Sequence, residues 1–196
     1  MRGLLLATAV LVLAAGALAG GYSLGYKQMS IPAYVGTEWL GDIYMTTVHM
    51  FRFGAAASPE FRVEALLGYS KYSVDYGDTV GTEEYEASLY ALGGSGYYVI
   101  AEPANTVASI GGSFVYVSSS SESDGVDGPS TSGFVITPVL RVDFAIPGAE
   151  RFALFTEYGI KYASLTTEYS DNTEDDYSGY QIYGPPNVLA GAYYSF

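Results

Sequence analysis

Period two governs this chain. At its C-terminus Val188, Ala190, Ala192, Tyr194 and Phe196 share one face of an extended segment, and Asn187, Leu189, Gly191, Tyr193 and Ser195 share the other. The same rhythm runs from Phe61 to Tyr69, where Phe61, Val63, Ala65, Leu67 and Tyr69 oppose Arg62, Glu64, Leu66, Gly68 and Ser70. Apolar residues at every second position fit a half-buried strand. They do not fit a helix, whose repeat is 3.6. Such a chain must pair its segments into a sheet that shows one apolar and one mixed face.

Further segments repeat the pattern. Ala108, Ile110, Gly112, Phe114 and Tyr116 form one face; so do Phe134, Ile136, Pro138, Leu140, Val142 and Phe144, and so do Leu154, Thr156, Tyr158, Ile160 and Tyr162. Near the start, Tyr22, Leu24 and Tyr26 oppose Ser23, Gly25 and Lys27. Further on, Tyr85, Ala87, Leu89 and Ala91 read as one face against Glu84, Glu86, Ser88 and Tyr90. The segment near Ile43–Phe53 has no clean face, because His49 falls with Ile43 and Phe51 while Arg52 falls with Val48 and Met50; a β-bulge would reconcile them. About eight strands result. Their connections alternate between short ones carrying Pro59, Pro103 and Pro147 and longer polar ones at 32–42, 74–83, 118–132 and 169–179. The expected fold is all-β: a single antiparallel up-and-down barrel with both termini at the short-turn end.

Aromatics and charges say which side of the wall is which. In this topology Phe51, Phe53, Phe61, Phe144, Phe152, Tyr194 and Phe196 lie near the turn end. Tyr69, Tyr85, Tyr116, Phe134 and Tyr162 lie near the loop end, with aliphatics between. Two aromatic belts around an aliphatic band are the pattern of a transmembrane barrel. A Lys or Arg facing lipid at mid-depth costs about 2–4 kcal/mol, so strand charges belong inside. Lys27, Arg62, Glu64, Glu86, Arg141, Asp143, Glu157 and Lys161 are assigned to the lumen on that ground. With the turn at Pro147-Gly148 fixing register, Arg141 meets Glu157 across adjacent strands; Lys71 approaches Glu86 in the same way. Both are expected as lumenal ion pairs filling a barrel only wide enough for side chains.

The N-terminus reads as an export signal. Met1-Arg2 is followed by an apolar run from Gly3 to Ala15 and by Ala17-Leu18-Ala19, the small-residue pattern of a cleavage site. Residues 1–19 are therefore assigned to a signal peptide and 20–196 to the barrel domain. The run is short for a bilayer-spanning helix, which needs about 20 residues.

Composition narrows function. The chain holds 21 acidic and 8 basic residues, a net charge of −13, which argues against nucleic acid as a partner. Fourteen of the acids lie in or beside the four long connections: Glu38, Asp42, Asp75, Asp78, Glu83, Glu84, Glu122, Asp124, Asp127, Glu168, Asp171, Glu174, Asp175 and Asp176. They predict a negative rim at the loop end. The run Asp171–Asp176 lacks calcium-loop spacing and a central Gly, so no metal site and no cofactor is assigned. The chain has one histidine, His49, with no His-x-Ser arrangement beside it, and no catalytic residues are assigned. Gly93-Gly94-Ser95-Gly96 inside a strand marks tight curvature or close packing.

On the signal peptide, strand rhythm, aromatic belts and closing strand, the mature chain resembles the small eight-stranded outer-membrane β-barrels of Gram-negative bacteria (the OmpA, OmpX and opacity-protein type). The resemblance implies that Gly191, Tyr194 and Phe196 form the C-terminal signal read by the barrel assembly machinery. It also implies passage past periplasmic chaperones, residence among outer-membrane lipids and lipopolysaccharide, and a monomer. The function expected is non-enzymatic: envelope structure or surface interaction through acidic loops. A narrow porin-like channel, a lipid-modifying enzyme using His49 and a secreted lipocalin-like binder are the alternatives.

Overall fold

The computed structural model describes residues 21–33, 44–77, 82–123, 125–169, 173–183 and 189–196. The segment assigned to the signal peptide lies outside them, as do Glu38, Asp42, Asp78, Asp124 and Asp171. Among the described residues nine strands follow in chain order: β1 Tyr22–Ala33, β2 Tyr44–Ala56, β3 Phe61–Gly77, β4 Thr82–Ala101, β5 Thr106–Ser123, β6 Val126–Ile146, β7 Ala149–Glu168, β8 Glu174–Tyr183 and β9 Leu189–Ser195. Each pairs antiparallel with its neighbours. β8 and β9 are two lengths of one stave: β8 pairs with the loop-end half of β7, while β9 pairs with its turn-end half and with β1. The β1–β9 ladder closes an eight-stranded barrel.

The turns at one end are tight. Ser58 accepts the Phe61 N–H through both its hydroxyl, at 3.0 Å, and its carbonyl, at 3.3 Å. Thr106 N–H donates to the Pro103 carbonyl at 3.0 Å. Gly148, at φ +81°, makes the β6–β7 turn in a backbone conformation that side chains disfavour. At the other end the strands run on. The connections expected at 74–83, 118–132 and 169–179 are largely strand: β3 reaches Gly77, β5 runs to Ser123, β6 resumes at Val126 and β8 begins at Glu174. Where a sheet extends past its apolar band, its outer face turns polar as well. Polar residues there fill both faces, and the hydrophobic alternation that reveals a strand disappears, although the hydrogen-bond ladder continues.

The outward face carries a continuous apolar band. It runs from Phe61 to Tyr69 on β3, Tyr90 to Ile100 on β4, Ala108 to Tyr116 on β5, Phe134 to Phe144 on β6 and Phe152 to Tyr162 on β7. These stretches match the roughly 9–11 residues that a tilted strand needs to cross a bilayer. Above Tyr69, Tyr90, Tyr116, Phe134 and Tyr162 the outward residues become polar: Lys71, Ser88, Ser118, Ser132 and Ser164. Aromatic rings meet across strands at this height, Tyr69 with Tyr90 at 4.9 Å and Phe114 with Phe134 at 5.9 Å between centroids.

Two facings differ from the sequence expectation. β4 is turned over: Leu89 and Ala91 point into the lumen, while Ser88 and Tyr90 point out, so Tyr90 takes the belt position expected for Tyr85. β2 needs no bulge. Its pairing with β1 and β3 is unbroken, with Val48, Met50 and Arg52 inside and His49 and Phe51 outside. Both departures have one cause. The loop-end half of the lumen is itself apolar, packed by Val48, Met50, Leu66, Leu89, Ala91 and Val115 with their neighbours, so apolar does not mean outward there.

Candidate functional site

The turn-end half of the lumen holds a compact ionic cluster. Lys27 from β1, Arg52 from β2, Glu64 from β3, Arg141 and Asp143 from β6 and Glu157 from β7 all project inward and are at most 4% exposed. Their positions follow from the alternation: each shares its strand's inward parity while its sequence neighbours face out.

Glu64 is the hub. Its Oε1 accepts from Arg141 Nη1 at 2.6 Å and from Arg52 Nη2. Arg141 spends its other edge on Asp143, at 2.6 Å from Nη2 to Oδ1 and 3.0 Å from Nε to the same oxygen. Glu157 accepts from the Tyr97 hydroxyl at 2.8 Å on Oε1, and its Oε2 lies 2.6 Å from Lys27 Nζ. Aromatic faces cover the cations: Arg141 sits 3.9 Å over the Phe155 ring centroid and Arg52 sits 4.2 Å over that of Tyr193. Three cations and three carboxylates thus balance within the cluster. Buried charges of this kind are tolerated when each is paired and hydrogen-bonded.

The register pairs Arg141 with Glu157 directly, and the two form the expected lumenal ion pair at 3.7 Å, while the hydrogen bonds of Arg141 go to Glu64 and Asp143. Lys71 and Glu86 do form an ion pair, at 2.8 Å, but it is not lumenal. Their side chains are 49% and 37% exposed on the outward face above Tyr69 and Tyr90. The lumenal placement of Glu86 falls with the reversed facing of β4. Arg62 sits at the turn-end mouth, 28% exposed, with Glu102 at 3.7 Å and Asp143 at 3.9 Å. Lys161 is buried between the ionic cluster and the apolar storey. Sequence reasoning left Arg52 unplaced, because its neighbours Val48 and Met50 are also inside.

Among the residues of the expected assembly signal, Gly191 faces the lumen, where the Tyr26 carbonyl and the Phe155 ring leave no room for a Cβ. Tyr194 and Phe196 face outward and meet edge to face at 5.3 Å. Phe196 N–H donates to the Tyr22 carbonyl at 2.9 Å, continuing the closing seam. His49 lies outside, level with the loop-end belt and opposite Gln28, and its Nδ1 is bonded to the Tyr26 hydroxyl. Gly93 lies where a Cβ would meet the Phe114 carbonyl and the Val115 Cα, so the glycine cluster marks close strand approach.

At the loop end Glu122, Asp127, Glu168, Glu174 and Asp176 are exposed. Glu122 stands opposite both Glu86 and Asp127 in the register. Like charges directly opposite one another are unfavourable in a sheet, which suits a surface open to solvent.

No protein-family model and no curated protein matches the sequence. Solved structures match the fold. The chain is similar to the Neisserial surface protein A, NspA, with a TM-score of 0.52 and 15% identity over 91% of this chain and 98% of that one. A major outer membrane protein from Thermus thermophilus aligns with a TM-score of 0.48 and 13% identity over 90% of this chain and 98% of that one. The chain has the fold of the small eight-stranded outer-membrane β-barrels, NspA among them.

Proposed function

We propose that this protein is a non-enzymatic integral barrel of the bacterial outer membrane. It serves envelope structure or surface contact through an acidic loop-end rim, and it does not conduct. The observation that carries this reading is the filled lumen. An ionic cluster centred on Glu64 occupies the turn-end half, and an apolar cluster around Val48, Met50, Val115 and Val135 occupies the loop-end half. A hydrated ion would have to displace paired charges and then cross a dry segment. Function is thereby left to the outer surfaces: the apolar band for lipid and lipopolysaccharide, and the exposed Glu122, Asp127, Glu168, Glu174 and Asp176 for contacts beyond the membrane. NspA, by its name a surface protein, supports the location.

In the same reading residues 1–19 are removed on export, the barrel is a monomer, and Gly191, Tyr194 and Phe196 present the closing strand to the assembly machinery after handover from periplasmic chaperones. Planar-bilayer recording on the refolded mature protein tests the central claim. A silent bilayer is expected, together with outer-membrane fractionation and a mobility shift on heating in detergent gels. Discrete conductance steps would replace this reading with that of a narrow pore. Loss of a lipid-modifying activity in His49→Ala would replace it with that of an enzyme.

A further inference from the structure

A cavity of about 200 Å³ opens at the turn-end mouth of the lumen, below the ionic cluster. Ser23, Arg52, Arg62, Tyr193, Ser195 and the last residue, Phe196, are among the residues that line it, and no Asp or Glu is. Arg52 is 4% exposed, and only its Nη2 is engaged, with Glu64 and, at 3.4 Å, the Ser23 hydroxyl. Its Nε and Nη1 are buried with no hydrogen-bond acceptor among the described residues. Arg62 is held only loosely, since 3.7 Å and 3.9 Å to its carboxylates exceed hydrogen-bond reach. Two guanidinium groups, that of Arg62 with donors to spare, therefore border one small space that also offers hydroxyls.

We propose that this mouth is a binding site for a small oxyanion, a free phosphate- or carboxylate-bearing solute taken up from the turn-end side. Guanidinium forks bind such groups bidentately, and the partly desolvated setting strengthens each bond. The Tyr193 ring under Arg52 fixes the plane of its fork. That the turn end faces the periplasm rests on the proposed outer-membrane orientation; the site chemistry does not.

The test is titration of the mature protein, in phosphatidylcholine nanodiscs, with inorganic phosphate and separately with acetate, ionic strength being held constant with chloride. Saturable binding by calorimetry is expected for phosphate. Arg62→Gln weakens it about tenfold, the cost of losing one charge-assisted contact. Arg52→Lys, which keeps the charge for Glu64 but loses the fork, weakens it as well. Arg151→Gln removes an equal charge from the same end but outside the cavity and leaves binding unchanged. Folding of each variant is verified by its heat-dependent gel mobility. The proposal is overturned if phosphate and acetate behave like chloride, if Arg62→Gln binds as the parent does, or if Arg151→Gln weakens binding equally. It is also overturned if anionic phosphatidylglycerol in the disc abolishes phosphate binding, which would make a lipid headgroup the occupant. Conductance measurements bear on the filled lumen alone, so the two readings fail separately.

Discussion

Glu64 and Arg141, 77 residues apart in sequence, meet at 2.6 Å in the middle of the lumen, and Arg52 shares the same carboxylate oxygen. One acidic side chain thus ties β3 to β2 and to β6, strands on different sides of the cylinder. A buried ion pair adds little stability over a well-packed apolar substitute, but removing one member strands the others.

Replacing Glu64 with Ala should therefore be severe. Arg52 and Arg141 would be left facing each other over aromatic rings, and a loss of about 3–5 kcal/mol is expected. Urea titration of the refolded barrel in lipid vesicles measures it. A change within about 1 kcal/mol would mean that the cluster is not the structural tie described.

Lys71 and Glu86 supply the contrast. Their pair is about half exposed and lies outside the barrel wall. Surface pairs of this kind are worth about 0–1 kcal/mol, so Lys71→Ala combined with Glu86→Ala should shift the same titration by less than about 1 kcal/mol. A shift as large as that of Glu64→Ala would place the pair inside after all.

Glycines within one short stretch should differ in tolerance. At Gly93 an added methyl runs into the Phe114 carbonyl and lies 2.8 Å from the Val115 Cα, neither of which can give way without moving β5. At Gly96 it meets only the edge of the Phe61 ring, at 3.4 Å. Gly93→Ala is expected to cost about 1–3 kcal/mol and to slow folding, while Gly96→Ala should fold at the parental rate. Gel-shift kinetics after dilution from urea distinguish them.

The apolar band predicts depth-dependent penalties. Leu140 faces outward within the band, and Ser118 faces outward above the Tyr116 level. Leu140→Arg should lose about 2–4 kcal/mol and Ser118→Arg about 0–1 kcal/mol in vesicle folding experiments. Equal penalties at the two sites would mean that the band's upper limit is drawn in the wrong place.

How much of this was legible depended on which side of the wall each half-strand meets. On β5, β6 and β7 the outward residues Ile110, Phe114, Ile136, Leu140 and Ile160 are greasy, and the inward Ser109, Ser113, Thr137, Arg141 and Glu157 are polar, so alternation shows both the strand and its facing. On β2 and β4 the inward residues Val48, Met50, Leu89 and Ala91 are as apolar as lipid-facing ones, and alternation loses its sign. Tyr97 and Tyr98 add to the ambiguity, since adjacent tyrosines take opposite faces: one bonds Glu157 inside and the other lies exposed outside. The site suffered accordingly. Arg141 and Glu157 were readable on their own strands, but Glu64 as a hub needed Arg52, which was hidden by its neighbours. The hairpin extensions at 118–132 were unreadable because serines and threonines occupy both faces, buried Thr131 among them, leaving only the backbone ladder to define them.

The stacking of a greasy plug over an ionic floor makes the cylinder one-sided to water. Hydrophilic quenchers or alkylating reagents arriving at the loop rim should stop at Val48 and Val135, whereas the same reagents entering beside Arg62 reach guanidinium and carboxylate groups after a few ångströms. The barrel is thus a well open at its turn end rather than a pipe, and in the proposed orientation its inner chemistry belongs to the compartment beneath the membrane.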